Sequence, residues 1–134
     1  MSGHIRVIPI AINQAPDAAP EDGEVVIIVD RSNEILGNHY HVLKNKHDMK
    51  DRCYGIKLFE EALEKDKQNN GIMTKEIIKL AERVKSGEQI CLACHCYPLP
   101  CHADVIVENV YNYIYANDPV MIESISRYLR RRPF

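Results

Sequence analysis

The sequence predicts a small α/β domain in which helices cover both faces of a layered sheet. Residues 25–29 form an unbroken β-branched run without polar alternation, which is typical of a central strand covered on both faces. Residues 89–94 form a second apolar run, too short for a helix between Gly87 and Pro98. Amphipathic segments with helical spacing follow each run. This order, in a chain of 134 residues, predicts a single domain over 1–134.

The segments that precede the first helix add a short strand and two loops. Apolar residues between Ile5 and Ile12 predict a peripheral strand, because Pro9 suits only an edge or a bulge. Residues 14–23 are rich in Pro, Gly, Ala and acidic residues and predict a loop. Residues 32–48 have no regular period and predict an ordered loop after the β-branched run.

The first two helices are predicted from apolar positions at helical spacing. One extends from Met49 to about Lys67, and residues 69–71 break it. Thr74 is expected to cap the next helix, which Gly87 ends. The predicted inward positions are Ile56, Phe59, Ala62 and Leu63 in the first helix and Ile77, Leu80, Ala81 and Val84 in the second.

Two further helices are predicted after the second apolar run. The third begins near Cys101 and ends before Asn117, and the fourth has Asp118 as its N-cap and Pro119 at its first helical position. Their inward positions are Ile106, Val110 and Tyr113, and then Ile122, Ile125 and Leu129. Residues 127–134 form a basic C-terminal tail, a composition that the negative end of a helix dipole also favours.

Composition and charge exclude several classes of partner. With 17 Lys and Arg against 19 Asp and Glu, the net charge is -2, so nucleic acid is not an expected partner. The apolar run from Ile5 is interrupted by Arg6 and Pro9, and it is too short for a membrane span or a signal peptide. The five cysteines are odd in number and mostly clustered, which favours thiols in a reducing compartment. We therefore expect a cytoplasmic protein without a membrane partner.

The segment from Cys94 to His102 concentrates thiol and imidazole groups at a strand-to-helix turn, and three interpretations compete. In the first, the helix that starts at Cys101 binds a phosphate or carboxylate with its free N–H groups and favours the Cys101 thiolate. In the second, Cys94, Cys96, Cys101 and His102 bind zinc, although two adjacent ligands are sterically awkward. In the third, the cysteines are small buried residues and His102 is a polar residue at a helix start.

Other polar residues follow the ends of predicted elements. Arg31, directly after the β-branched run, suits a phosphate clamp or a surface ion pair. Asn38, after Gly37, suits a base or ribose contact or a left-handed turn. Arg52 opposes the dipole of its helix, which a bound anion would relieve, whereas Asp104 is favoured by the dipole alone. These residues and the cysteine turn are expected to converge if the two apolar runs are parallel neighbours, because ligands bind beyond the carboxyl ends of such strands.

The cysteine turn also resembles the signature of a known family. The pattern Cys-x-Cys-x-Pro-x-x-Cys-His-x-Asp is matched by Cys94-His-Cys96-Tyr-Pro98-Leu-Pro100-Cys101-His102-Ala-Asp104. This pattern is typical of a family of phage and bacterial proteins, domain of unknown function 4326. The resemblance implies a Rossmann-like fold similar to nucleotide-handling domains, and it implies no activity.

The resemblance extends from about Asn13 to Tyr115. Family members carry an arginine and then a Gly-Asn-Pro-Phe segment upstream of the cysteines. Arg31 and Gly37-Asn38 match this pattern, which His39-Tyr40 breaks. Arg52 matches an arginine at a helix start. If the protein is encoded by a phage, its expected location is the host cytoplasm.

The expected function is binding of a nucleotide or another phosphorylated small molecule, either alone or as an enzyme on an N-glycosidic or phosphorylated substrate. Cys101 and His102 are the candidate catalytic residues. The candidate ligand-binding residues are Arg31, Gly37, Asn38, Arg52, Cys94, Cys96 and Asp104. No Gly-x-Gly-x-x-Gly or Walker-type loop is present, and no cofactor is expected. The alternative is a structural or zinc-binding module that modulates a host protein, with zinc held by Cys94, Cys96, Cys101 and His102.

Overall fold

The computed structural model describes residues 3–9, 19–30, 32–37, 49–94 and 102–130, without the side chains of 49–54, 125–126 and 128–130. The elements are β1 (His4–Pro9), β2 (Glu24–Ile28), α1 (Met49–Gln68), α2 (Ile72–Lys85), β3 (Gln89–Cys94), α3 (His102–Ile114) and α4 (Pro119–Arg130). The small α/β fold that the sequence predicts is confirmed. No helix in these ranges combines the length and apolarity needed to cross a membrane.

The strands form one parallel sheet in the order β1-β3-β2. β3 is the central strand, and all its residues except the first are buried. β2 is an edge strand, in which Val25, Val26 and Ile28 are 39%, 45% and 47% exposed. The prediction that residues 25–29 form a central strand is therefore wrong, whereas the peripheral position of β1 is confirmed. A β-branched run indicates strand propensity, which edge and central strands share.

The main core lies on one face of the sheet. Its buried members include Ile5, Val7, Val29, Phe59, Leu63, Ile77, Leu80, Val84, Ile90, Leu92, Ile106 and Val110. Side chains from α1, α2 and α3 all belong to this cluster. The opposite face has a smaller cluster of Ile8, Cys91 and Ala93, without a helix residue among its described members. Tyr113 was predicted to face inward but is exposed, because the residues after Val110 that pack against the core are Tyr111 and Ile114.

The starts of α2 and α4 illustrate two kinds of helix cap. Gly71 is the N-cap of α2, and the Asp66 carboxylate accepts both the backbone N–H and the hydroxyl of Thr74, each at 2.6 Å. The prediction that Thr74 is the cap is therefore wrong, because the preceding helix supplies the acceptor. The predicted cap of α4 is confirmed, since Asp118 Oδ1 accepts the Met121 N–H at 3.1 Å.

The amino end of the sheet is closed by a charged cluster on the second face. The side chain of Glu24 is 1% exposed, and its carboxylate accepts hydrogen bonds from Arg6 Nη2 at 2.7 Å, Arg6 Nε at 2.9 Å and His4 Nε2 at 2.6 Å. The Arg6 guanidinium holds the pKa of Glu24 far below its ordinary range. Burial raises the pKa of the neighbouring Cys91 thiol to about 12. One buried carboxylate thus links the two edge strands across β3.

Candidate ligand-binding site

The carboxyl ends of the strands lie together at one end of the sheet. Ile28 lies beside Ala93, and Pro9 lies beside Cys94. Val29 extends the alignment by donating its N–H to the Ala93 carbonyl at 3.0 Å. The parallel pairing of β2 with β3, on which the predicted convergence depends, is therefore confirmed. The loop after β2 and the chain that leaves β3 start from adjacent positions.

Asn33 organises the loop that follows β2. Its Oδ1 accepts the Leu36 N–H at 2.9 Å, and its Nδ2 donates to the Ile28 carbonyl at 3.0 Å. Its own N–H donates to the Asp30 carbonyl at 3.0 Å. Asp30 Oδ1 accepts the N–H of Ser32 at 2.9 Å and also its hydroxyl. Because Leu36 is buried in the main core, this polar loop is anchored before any ligand binds.

Gly37 lies where this loop folds back on the end of β2. Its N–H donates to the Asn33 carbonyl at 2.9 Å. A Cβ at this position would overlap the carbonyl oxygens of Asp30 and Asn33. Glycine is therefore required by the close approach of two backbone segments. The structure places this predicted site residue at the carboxyl end of the sheet.

His102 fastens the start of α3 to the end of β2. Its Nε2 donates to the buried Val29 carbonyl at 2.7 Å. A carbonyl only accepts, so Nε2 carries the hydrogen. The ring also contacts Phe59 of α1 edge-on, with the centroids 5.1 Å apart at 64°. These contacts give the imidazole, only 6% exposed, a positioning role. A catalytic role for His102 stays a prediction.

The other described site residues occupy different environments. Cys94 is buried in the main core, on the same side of the sheet as the helices. Asp104 is half-buried in the first turn of α3, and Arg52 lies in the first turn of α1, as predicted. The side chain of Arg52 is outside the described part of the chain. The structure therefore brings Gly37, His102 and the start of α3 to one place.

The remaining predicted site residues, Arg31, Asn38, Cys96 and Cys101, lie outside the described ranges. Two of the four alternative zinc ligands are among them. Within the residues that the structure covers, no group of three or more His, Cys, Asp or Glu side chains is arranged to hold a metal ion. His102 could offer a metal only Nδ1, because the Val29 carbonyl occupies its Nε2 hydrogen. The expected absence of metal stays a prediction.

Sequence reasoning missed two parts of this site. The first is Asn33, for which a signal exists, because Asp, Ser and Asn directly after a strand are typical of side-chain-stabilised turns. The second is the pairing of His102 with Phe59 and the Val29 carbonyl. Phe59 is predicted as a core residue, but its contact with a histidine 43 positions later depends on the packing of two helices.

Comparison with known proteins identifies the family of the chain. The family model of a domain of unknown function (DUF4326) matches residues 12–112, which is most of the chain. The chain belongs to the DUF4326 family. The resemblance seen in the cysteine turn is thereby confirmed at the level of the family. The matched region of this DUF4326 domain contains the loop after β2 and the start of α3. No curated protein and no solved structure matches the chain.

Proposed function

We propose that this DUF4326 domain binds a nucleotide or another phosphorylated small molecule at the carboxyl end of its sheet. The observation that supports this best is the hydrogen bond from His102 to Val29, which draws the first turn of α3 to the end of β2. The first N–H groups of a helix and the positive end of its dipole suit a phosphate. In parallel α/β sheets, ligands lie beyond the carboxyl ends of the strands.

In this proposal the two sides of the site have different tasks. The phosphate lies against the start of α3, where Arg31 and Arg52 add charge and bidentate hydrogen bonds. The sugar or base lies against the loop at Gly37 and Asn38. The Asn33 hydrogen bonds support this role because they fix the loop, so that little conformational entropy is lost when a ligand binds.

An enzymatic form of the proposal assigns the chemistry to Cys101. A thiolate at a helix N-terminus is stabilised by the dipole and can attack the anomeric carbon of an N-glycosidic substrate, where the new C–S bond replaces the C–N bond to the base. The base leaves with a proton from solvent, and water then hydrolyses the thioglycosidic bond. On a phosphorylated substrate, the new S–P bond replaces the bond to the leaving oxygen in the same way, and water hydrolyses the thiophosphate. His102 then orients the helix instead of exchanging protons through Nε2, because that nitrogen donates to a buried carbonyl.

A thermal-shift series tests the binding proposal. AMP, GMP, CMP, UMP and ribose 5-phosphate are compared with the matched nucleosides and inorganic phosphate. A ligand at a hundred times its Kd adds about 2.7 kcal/mol to stability. Arg31→Ala and Arg52→Ala should abolish the shift, whereas Lys57→Ala, an exposed position on the same helix as Arg52, should retain it.

The proposal is contradicted if no phosphorylated compound stabilises the protein, or if the stabilisation survives both arginine replacements. Elemental analysis of the purified protein provides an independent arm. About one zinc per chain that survives dialysis would favour the interaction module instead.

A further inference from the structure

The two edges of the sheet differ in how well they are protected from other strands. On β1, Ile5, Val7 and Ile8 are buried and Pro9 ends the strand. On β2, valine and isoleucine side chains are exposed on both faces. β2 contains no proline, lysine or arginine, which are the residues that usually protect an edge. Among the residues that the structure describes, nothing therefore blocks the outer side of β2 from another strand.

The backbone groups on this outer edge can be identified from the pairing. Val29 donates its N–H to β3, so the groups of Glu24, Val26 and Ile28 point outward by alternation. Two of these groups have local partners: the Glu24 N–H donates to the Glu21 carbonyl, and the Ile28 carbonyl accepts from Asn33. Within the described residues, four others have none: the Glu24 carbonyl, both groups of Val26 and the Ile28 N–H.

These four groups are complementary to the same four groups of a second copy. In an antiparallel pair centred on Val26, the two Val26 residues exchange N–H and carbonyl groups. Each Ile28 N–H then meets the partner's Glu24 carbonyl. The two groups that already have local partners are those that would face each other in this register. Because the Glu24 N–H and the Ile28 carbonyl are already bonded within each copy, the hydrogen bond that they would form with each other is lost at each end of the interface. Four intermolecular hydrogen bonds remain.

Charge also favours a second copy as the occupant. Glu24 is the only charged residue of β2, and its carboxylate is buried against Arg6 and His4. Within the paired residues 24–28, two copies therefore bring no like charges together. On the second face, Val26 meets the partner's Val26, and each Ile28 extends the same apolar strip. A twofold axis through Val26 gives an isologous interface, the commonest kind in soluble proteins.

We infer that β2 is a dimerisation strand, which joins the described three-stranded sheets of two copies of this chain into one continuous sheet. This inference goes beyond the proposed function and is independent of it. The antiparallel pairing places the carboxyl ends of the two half-sheets on opposite sides of the dimer. Each copy therefore keeps its own candidate ligand site.

Sedimentation equilibrium of the full chain tests this inference. The wild-type protein should sediment with twice the mass of one chain. Val26→Lys and Val26→Glu should each sediment as monomers, because either change places two like charges at the twofold axis. Ile72→Lys, at an apolar position that is 66% exposed on α2, should remain dimeric.

A mixture of the two charge variants separates a lost interface from a lost fold. Val26→Lys mixed with Val26→Glu should restore the dimer, because lysine and glutamate then face each other across the interface. A monomeric wild-type protein at every concentration would overturn the inference and assign the edge to another partner. A Val26→Lys protein that remains dimeric would overturn it as well.

Discussion

The amino and carboxyl ends of the parallel sheet are built with different chemistry. At the amino end, the buried Glu24 carboxylate is paired with the Arg6 guanidinium and hydrogen-bonded to His4. At the carboxyl end, Asn33 and His102 bond to backbone groups, and the Asp30 carboxylate accepts the Ser32 N–H. The charged side chains at the amino end are thus bonded to one another within the folded chain. The amino end therefore contributes to stability, whereas the carboxyl end is where we propose that a charged ligand binds.

The largest effect should come from neutralising the amino end. Glu24→Gln leaves the Arg6 guanidinium without its counter-charge and should lower the free energy of unfolding by about 3 kcal/mol. Chemical denaturation measures this change. Glu64→Gln, which removes an exposed pair with Lys67, should leave stability nearly unchanged. If Glu24→Gln lowers the free energy of unfolding as little as Glu64→Gln does, the charged cluster at the amino end does not stabilise the fold.

The same carboxylate predicts a dependence of stability on pH. Its pKa in the folded protein lies below the ordinary value of 4.5, so its contribution is complete at neutral pH. The contribution should decline as the pH falls below 4.5, because the unfolded chain then binds the proton more readily. Denaturation curves between pH 7 and pH 3 should show this decline in the wild-type protein and a weaker one in Glu24→Gln. If the stabilities of the wild-type protein and Glu24→Gln decline equally with falling pH, the decline does not come from Glu24.

The amino-end cluster shows why part of the fold could not be predicted from sequence. Apolar spacing is a local property, and it correctly predicts β3 and the buried face of α2. Strand order is not local, and the run 25–29 is as apolar as a central strand although it lies at an edge. The pairing of Glu24 with Arg6 crosses a strand that comes about 65 residues later. No spacing rule connects these positions.

A smaller effect is expected at His102. His102→Phe keeps an aromatic ring against Phe59 but leaves the Val29 carbonyl without its donor, which should destabilise the fold by about 2 kcal/mol. Stabilisation by the phosphorylated ligand should be lost too, because the start of α3 is no longer fixed. Glu24→Gln, although less stable, should keep the ligand-induced shift. The melting temperatures of His102→Phe and Glu24→Gln are measured with and without ligand. If the ligand stabilises both variants equally, His102 does not position the ligand site.

An effect of similar size is expected at Gly37. Gly37→Ala places a Cβ against the backbone carbonyls of Asp30 and Asn33 and should lower stability by about 2 kcal/mol while weakening ligand binding. Gly23→Ala is the matched control, since Gly23 has a φ of 86° and open space around it. It should have the smallest effect, a loss of about 1 kcal/mol through its backbone conformation, and leave ligand affinity unchanged. Equal ligand affinities for the two variants would remove Gly37 from the site.

The candidate site was predicted in outline because strand ends and helix starts have sequence signals. The β-branched run ends at Asp30, and the cysteine turn precedes a helix that starts at His102, so both segments could be assigned to strand ends. Their actual junction is a hydrogen bond between residues 73 positions apart. That contact depends on the parallel pairing of β2 with β3, which neither segment encodes alone. The role of His102 therefore became visible only in three dimensions.

Amide chemical shifts of the ¹⁵N-labelled protein test the central claim most directly. AMP, GMP, CMP, UMP and ribose 5-phosphate are added one at a time, with inorganic phosphate as the reference. A bound compound should shift the amide resonances of Leu36, Gly37 and Ala103 at the carboxyl end and leave those of His4 and Glu24 unchanged. Shifts concentrated at the amino end, or no shift with any of these compounds, would show that the carboxyl end is not the ligand site.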